Sequence, residues 1–133
     1  MKNKKLNLLQ ETVSYYSENP LRICRASFDG EAHCFYDGLK NPNTESDGCA
    51  VGRLLPQELK EYLDTVFTFN KVASSVSEVF QHLPLDIQEY GVQFLRRLQG
   101  LHDTLDYWDE KGLTETGKVF IKNFIVDIEN NLI

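Results

Sequence analysis

The sequence predicts a predominantly helical α+β domain, with about five helices around a long central helix and one small antiparallel β-hairpin. Two observations lead to this prediction. Apolar residues recur at helical spacing over most of the chain, and β-prone runs are confined to one region around an Asp-Gly pair. The 133 residues are enough for one hydrophobic core, so we expect residues 1–133 to form a single domain.

The first third of the chain combines a helix with the hairpin. Residues 4–18 place apolar side chains at intervals of three and four, which is typical of an amphipathic helix. Two β-prone runs, 23–28 and 32–36, then lie on either side of Asp29 and Gly30. Because Asp-Gly is favoured in tight turns between antiparallel strands, these runs predict a β-hairpin.

A loop and a compact turn follow the hairpin. Residues 39–48 are rich in Asn, Asp, Gly and Pro, so we expect a mobile loop there. An apolar turn containing Cys49 comes next, and Pro56 suits the first turn of a helix. Residues 66–69 fit either a short strand or an irregular connection. The apolar positions of the helix after Pro56 are Leu59, Tyr62 and Leu63.

The second half of the chain is predicted to be helical. Ser75 and Glu78 have capping-box spacing and open a short helix. Residues 87–108 form the longest predicted helix, the central one, and Thr114 caps the last helix. The apolar stripe of the central helix is Phe94, Leu98, Leu101, Leu105 and Trp108, and that of the last helix is Ile121, Phe124, Ile125, Ile128 and Leu132.

The charge balance limits the classes of ligand. The chain has 14 Lys and Arg residues and 20 Asp and Glu residues, which gives a net charge of −6. Phosphate backbones require a basic surface, so we expect no direct nucleic-acid binding. An acidic surface can instead dock on a basic partner.

The sequence also predicts the compartment. No apolar run approaches the length of a membrane span, and the basic start lacks the continuous apolar core of a signal peptide. Three cysteines at long spacing fit reduced thiols better than a disulfide framework. We therefore expect a cytoplasmic protein without membrane contact.

Cys49 is the strongest catalytic candidate, because loop residues run directly into an apolar turn at this position. A helix N-terminus there would favour the thiolate. His33 or His102 would then serve as the base, and Asp103 or Asp37 would orient it. Alternatively, Cys49 is a small buried hydrophobe that anchors the turn, which is the interpretation we favour because free cysteine is usually buried.

Arg53 lies one turn after Cys49 and is the main binding candidate. Backbone N–H groups of Gly48 to Val51, together with a guanidinium, would suit a phosphate or carboxylate. The segment is not a P-loop, because the Gly-Lys-Ser/Thr ending is missing. The alternative is that Arg53 pairs with one of the surface acids.

Two aromatic residues on the central helix have either structural or functional interpretations. His102 flanks the apolar stripe, where a histidine is usually hydrogen-bonded in the core but can also line a pocket. Trp108 ends the stripe and has the same two interpretations. His33, Cys34 and the other potential zinc ligands lack paired Cys-x₂₋₄-Cys spacing, so we predict no metal and no cofactor.

Several motifs occur together in a recognisable order. They are Cys34-Phe35-Tyr36-Asp37-Gly38, Gly48-Cys49-Ala50-Val51-Gly52-Arg53-Leu54-Leu55-Pro56, Leu98-Gln99-Gly100-Leu101-His102-Asp103 and Trp108. This order, spanning about 24–125, resembles a group of small uncharacterised proteins encoded by bacteria and their phages. The resemblance implies origin more than activity. It also implies one spatial cluster that contains Cys34, Asp37, Cys49, Gly52, Arg53, His102, Asp103 and Trp108.

Two functional hypotheses follow from these observations. The first is a non-enzymatic binding protein, phage- or prophage-encoded, that binds a host protein or sequesters a small anionic ligand through Gly48, Cys49, Arg53, Asp37 and Trp108. The second is a cysteine-dependent hydrolase or transferase that uses Cys49 with His102 or His33. We favour the first hypothesis because no complete catalytic motif is present. An exposed hairpin edge also allows self-association.

Overall fold

The computed structural model describes residues 1–23, 27–28, 31–32, 36–37, 48–66 and 75–133, and the fold within those ranges is mainly helical. The helices are α1 (Lys2–Glu18), α2 (Gln57–Val66), α3 (Val76–Val79), α4 (Leu85–Gln88), α5 (Val92–Asp103) and α6 (Glu115–Glu129). The strands are β1 (Ser27–Phe28), β2 (Glu31–Ala32), β3 (Trp108–Asp109) and β4 (Gly112–Leu113). The predicted fold class, a predominantly helical α+β fold, is confirmed.

The central part of the predicted hairpin is present. Strands β1 and β2 pair antiparallel, with Ser27 opposite Ala32 and Phe28 opposite Glu31. This register leaves two residues between the strands, as the Asp-Gly pair requires. The outer parts of the predicted strands lie mostly outside the described residues, and so does the predicted loop at 39–48 except for Gly48.

The prediction of one central helix over 87–108 is wrong. Gly91 has a φ of 85°, a conformation that interrupts a right-handed helix, and it separates α4 from α5. At the other end, α5 stops at Asp103 because Thr104 is extended. A 3₁₀ turn at 105–107 follows, so Trp108 lies in β3 and not in a helix.

Strands β3 and β4 form a second antiparallel pair that the sequence did not indicate. Trp108 lies opposite Leu113, and Asp109 lies opposite Gly112. Gly112 has a φ of 117°, and Asp109 Oδ1 accepts a hydrogen bond from the backbone N–H of Lys111 at 2.8 Å. The tight turn therefore depends on a glycine, because this backbone conformation is unfavourable for other residues.

Two predicted helix caps are present. Glu78 Oε1 accepts from the backbone N–H of Ser75 at 3.4 Å, and Thr114 Oγ1 accepts from the backbone N–H of Gly117 at 3.1 Å. These contacts fix the starts of α3 and α6. No helix within the described ranges has the length and apolar character needed to cross a membrane.

The core lies between α1, α5 and α6. The rings of Phe94 and Phe124 have centroids 5.4 Å apart and join α5 to α6. Tyr16 of α1 is fully buried and contacts the Trp108 ring at 6.0 Å. The Cys49 turn packs into the same core, because Cys49, Ala50 and Val51 belong to this cluster of buried side chains. Leu132, which was predicted to share the apolar stripe of α6, is exposed beyond the end of that helix.

Candidate functional site

The Cys49 segment forms a tight turn and does not begin an α-helix. A 3₁₀ turn spans Gly52–Leu54, and α2 starts only at Gln57. The backbone N–H of Arg53 donates to Cys49 O at 2.9 Å and closes the turn. Three residues of 3₁₀ helix supply little macrodipole, so the helix-terminus contribution expected for a thiolate at Cys49 is small.

Two glycines let this turn lie directly against residues 36–37. A Cβ at Gly48 would lie 2.0 Å from Tyr36 O, and Gly48 has a φ of 135°. A Cβ at Gly52 would lie 2.3 Å from the same oxygen. Both positions therefore require glycine, because any side chain would overlap the backbone of Tyr36.

Asp64 of α2 holds residues 36–37 in place. Its two carboxylate oxygens accept hydrogen bonds from the backbone N–H groups of Tyr36, at 3.0 Å, and Asp37, at 2.8 Å. Asp37 itself is buried beside the turn. Asp64 was not among the predicted site residues, although an acid one residue after Leu63, on the buried side of α2, was an available signal.

The thiol of Cys49 is enclosed, with only 1% of the residue exposed. The backbone N–H of Gly52 contacts Sγ at 3.4 Å. Burial, reinforced by the negative charge of Asp103, raises the pKa of the Cys49 thiol to about 12. The thiol is therefore protonated at neutral pH, an environment that favours the anchoring interpretation over the nucleophilic one.

His102 and Asp103 are joined at the end of α5. His102 is fully buried, and its Nδ1 lies 2.8 Å from Asp103 Oδ1. Gln99 Nε2 donates to the same oxygen at 2.9 Å. The His102 ring also contacts the ring of Tyr16, with centroids 5.1 Å apart.

Gln99 connects this pair to the Cys49 turn. Its Oε1 accepts a hydrogen bond from the backbone N–H of Val51 at 3.0 Å. One of the amides predicted to cradle an anion is therefore already satisfied by α5. Gln99 lies within one of the sequence motifs, but no role was predicted for it.

Arg53 is turned toward α1. Its Nη1 donates to Glu11 Oε1 at 2.9 Å, and its Nη2 donates both to Glu11 Oε2 and, at 2.8 Å, to Thr12 Oγ1. The guanidinium also lies over the ring of Tyr15, 4.7 Å from its centroid. The Arg53 side chain is only 8% exposed, and within the described residues its Nε has no hydrogen-bond partner.

Trp108 is buried and anchored to the end of α5. Its indole Nε1 donates to Leu101 O at 2.8 Å. The ring lies against Tyr16 and forms part of the core near His102. This position matches the structural interpretation of a tryptophan at the end of an apolar stripe.

The structure thus brings most of the predicted site residues together in the interior. Cys49 is linked to Gly52, the turn to α5 through Gln99, and Asp37 to α2 through Asp64. His33 and Cys34 lie outside the described residues. Across the ranges that are described, no three His, Cys, Asp or Glu side chains form a group able to hold a metal ion.

An open cavity lies elsewhere, at the start of α5. It has a volume of about 440 Å³ and includes Lys5 of α1 and the last residues of the chain. The Nζ of Lys5 donates to Ile133 O at 2.8 Å. The cavity is lined by Lys5, Tyr90, Gly91, Val92, Gln93, Phe94, Asn131, Leu132 and Ile133. None of the predicted site residues is among them.

Known proteins provide no further guide. Comparisons with protein-family models, curated proteins and solved structures gave no match to this chain. The resemblance to small bacterial and phage proteins stays a prediction, and function has to be argued from the residues themselves.

Proposed function

We propose that this chain is a non-enzymatic binding protein that acts by contacting another protein. The phage or prophage origin implied by the resemblance makes a host protein the expected partner. The observation that carries the proposal is that residues of the candidate site are buried or already paired within the fold. Cys49 is 1% exposed, and Arg53 is already paired with Glu11.

The protonation state of Cys49 argues against cysteine catalysis. Because burial raises the pKa of the Cys49 thiol to about 12, the thiol is protonated at pH 7. Catalytic cysteines work as thiolates with lowered pKa values in partly exposed, electropositive surroundings. The hydrolase or transferase alternative therefore requires a rearrangement that exposes Cys49 and lowers its pKa.

The contacts of Arg53 argue against a small anion at the turn. An incoming phosphate would have to replace the bidentate carboxylate of Glu11 and compete with Gln99 for the backbone N–H of Val51. Both replacements would break hydrogen bonds that the folded protein already makes. A ligand at the protein surface meets no such competition, which supports a protein partner over a small anion.

Thiol labelling tests the enzyme alternative. The folded protein is treated with iodoacetamide at pH 7, and the modification of each cysteine is followed by peptide mass spectrometry, with a sample in denaturant as the control. We expect Cys49 to react only after denaturation. Rapid and selective modification of Cys49 in the folded protein would contradict the proposal and favour the enzyme.

A thermal-shift screen tests the small-anion alternative. Phosphate, nucleotides and short carboxylates are added to the wild-type protein and to an Arg53→Gln variant. We expect no stabilisation that depends on Arg53. A saturable increase in Tm that is present in the wild type and lost in the variant would contradict the proposal and favour an anionic ligand.

Partner capture tests the proposal directly. The folded, tagged chain is used to capture proteins from a bacterial lysate, and a heat-denatured sample serves as the control. We expect at least one protein to be retained by the folded chain alone and to rebind after purification. Failure to retain any protein across several lysates would count against the proposed function.

A further inference from the structure

Helix α2 presents an exposed face that combines carboxylates with large apolar side chains. Glu58, Tyr62 and Val66 follow one another at four-residue intervals, so they share one side of the helix, and Glu61 flanks them. Tyr62 is 45% exposed and Val66 is 55% exposed. The opposite side of α2 is the one that packs inward, with Lys60, Leu63 and Asp64 buried.

This face continues onto the turn between α3 and α4. The rings of Tyr62 and His82 have centroids 6.1 Å apart, which joins α2 to the turn. Gln88 Nε2 donates to Leu83 O at 2.7 Å and holds α4 against the same turn. Leu85, at the start of α4, is 78% exposed, the largest exposed fraction among the large apolar residues of the described ranges.

Within the described part of residues 57–89, the exposed acidic and basic residues are of one sign. Residues 57–89 contain six carboxylates and two lysines, and Lys60 is one of the buried residues. In the described parts of this stretch, the exposed Asp, Glu, Lys and Arg residues are all carboxylates: Glu58, Glu61, Glu78, Asp86 and Glu89. We define the acidic face as Glu58, Glu61, Tyr62 and Val66 of α2 together with His82, whose ring lies against Tyr62.

We propose that the acidic face docks a basic, amphipathic segment of the protein partner. Apolar side chains of that segment would pack on Tyr62 and Val66, and its Lys and Arg side chains would pair with Glu58 and Glu61. Apolar contacts inside a charged rim are the usual arrangement of a protein interface, and complementary charge selects the partner. This inference rests on the proposed function, in which the chain acts by contacting a protein.

A second acidic surface provides the matched comparison. Asp106, Asp109 and Glu110 are also exposed, but the exposed large apolar side chains of the described ranges include none from residues 103–115. Lys111, which is exposed, lies within this second group. If the net charge of the molecule alone attracted basic segments, reversing two carboxylates at either surface would weaken binding equally.

The test uses a fluorescent 15-residue peptide made of Leu and Lys in an amphipathic helical pattern. Its affinity is measured by anisotropy for the wild type, for Glu58→Lys with Glu61→Lys, and for Asp106→Lys with Glu110→Lys. The two double variants change the charge equally, at exposed positions. We expect the α2 variant to weaken binding at least tenfold and the control variant to weaken it less than threefold. Equal losses, no loss at α2, or no binding by the wild type would overturn the proposal.

The apolar contribution has its own pair of variants. We expect Tyr62→Ala to weaken peptide binding about fivefold, and Val119→Ala, on the exposed side of α6, to leave it unchanged. A peptide affinity that is unchanged by Tyr62→Ala would overturn the contribution of apolar contacts to the docking surface. Circular dichroism confirms that each variant is folded before its affinity is compared.

Repeating the lysate capture with the Glu58→Lys and Glu61→Lys variant separates the two proposals. A partner that is retained by the wild type and lost by this variant supports the acidic face. A partner that is retained by both the wild type and the variant would overturn docking at the acidic face and leave the proposed function standing. If the wild type retains no partner, the proposed function fails, and the peptide measurement still decides whether the acidic face binds basic segments.

Discussion

The carboxylate of Glu11 closes over the guanidinium of Arg53 with two parallel hydrogen bonds, one of them 2.9 Å long. The two residues are 42 positions apart, so the pair fastens the Cys49 turn to α1. Arg53 is largely enclosed by this contact. The cation that the sequence offered as a binding group is thus part of the tertiary structure.

Replacing Arg53 should destabilise the fold. We expect Arg53→Lys to lower the free energy of unfolding by about 1–3 kcal/mol, because an ammonium cannot reproduce the paired hydrogen bonds to Glu11 and the contact with Thr12. Urea denaturation measures the change. Lys118→Gln is the control, because Lys118 and Glu115 form an exposed pair whose loss should cost less than about 0.5 kcal/mol. Equal effects of the two substitutions would contradict the structural role of Arg53.

Two glycines should respond to alanine in opposite directions. Gly52→Ala would place a Cβ 2.3 Å from Tyr36 O, and we expect a loss of about 1–3 kcal/mol of stability. Gly100 lies within α5 with nothing within 4 Å of an added Cβ, so Gly100→Ala should gain about 0.5–1 kcal/mol. Thermal denaturation of both variants checks the signs. A neutral Gly52→Ala would mean that the turn does not lie against residues 36–37.

Asp64→Asn should weaken the attachment of residues 36–37. The amide keeps one acceptor, but its NH₂ group faces the second backbone N–H and leaves it unsatisfied, at a cost of about 1–3 kcal/mol. Hydrogen exchange should then become faster at the amides of Tyr36 and Asp37. Glu61→Gln, on the exposed side of the same helix, is the control and should leave both rates unchanged. Unaltered exchange in Asp64→Asn would contradict the two hydrogen bonds.

Stability should fall in alkali, and Cys49 should account for part of the fall. Burial raises the pKa of this thiol to about 12 in the folded state, above its ordinary value near 9. Between these pH values the unfolded chain releases the proton and the folded chain keeps it. The contribution of the thiol to the free energy of unfolding is therefore complete below pH 9 and is lost toward pH 12. Burial also raises the pKa values of Tyr16 and Tyr36, which act in the same direction.

The Cys49→Ala variant isolates that contribution. Its free energy of unfolding, measured by urea denaturation at several pH values between 8 and about 11, should fall less steeply than that of the wild type. Both proteins keep the tyrosines, so their difference reports the thiol. Parallel curves would mean that Cys49 has an ordinary pKa and would reopen the question of its reactivity.

Local features were predictable from the sequence, because they depend on neighbouring residues. The amphipathic pattern of α1, the antiparallel pair around Asp29-Gly30 and the Thr114 cap each require only a few adjacent positions. The break at Gly91 was missed, since an isolated glycine inside an apolar stripe is compatible with a continuous helix.

The contacts that define the candidate site were not predictable, because they join distant parts of the chain. Arg53 was expected to meet either an anion or a surface acid, and periodicity gave no reason to select Glu11. Gln99 binds the backbone of Val51, 48 positions away, and Asp64 binds the backbone of residues 36–37. No sequence pattern links either pair. Such pairs become visible only after the helices have packed.

The placement of the Cys49 turn has a consequence for the order of folding. Its hydrogen bonds reach α1 through Arg53, 42 positions from Glu11, and α5 through Gln99, 48 positions from Val51. Long-range contacts of this kind carry a large entropy of loop closure and tend to form after the transition state. Stopped-flow measurements on Arg53→Lys should therefore show faster unfolding with a nearly unchanged folding rate. The same segment that looks most like an active site would then govern how long the native state persists.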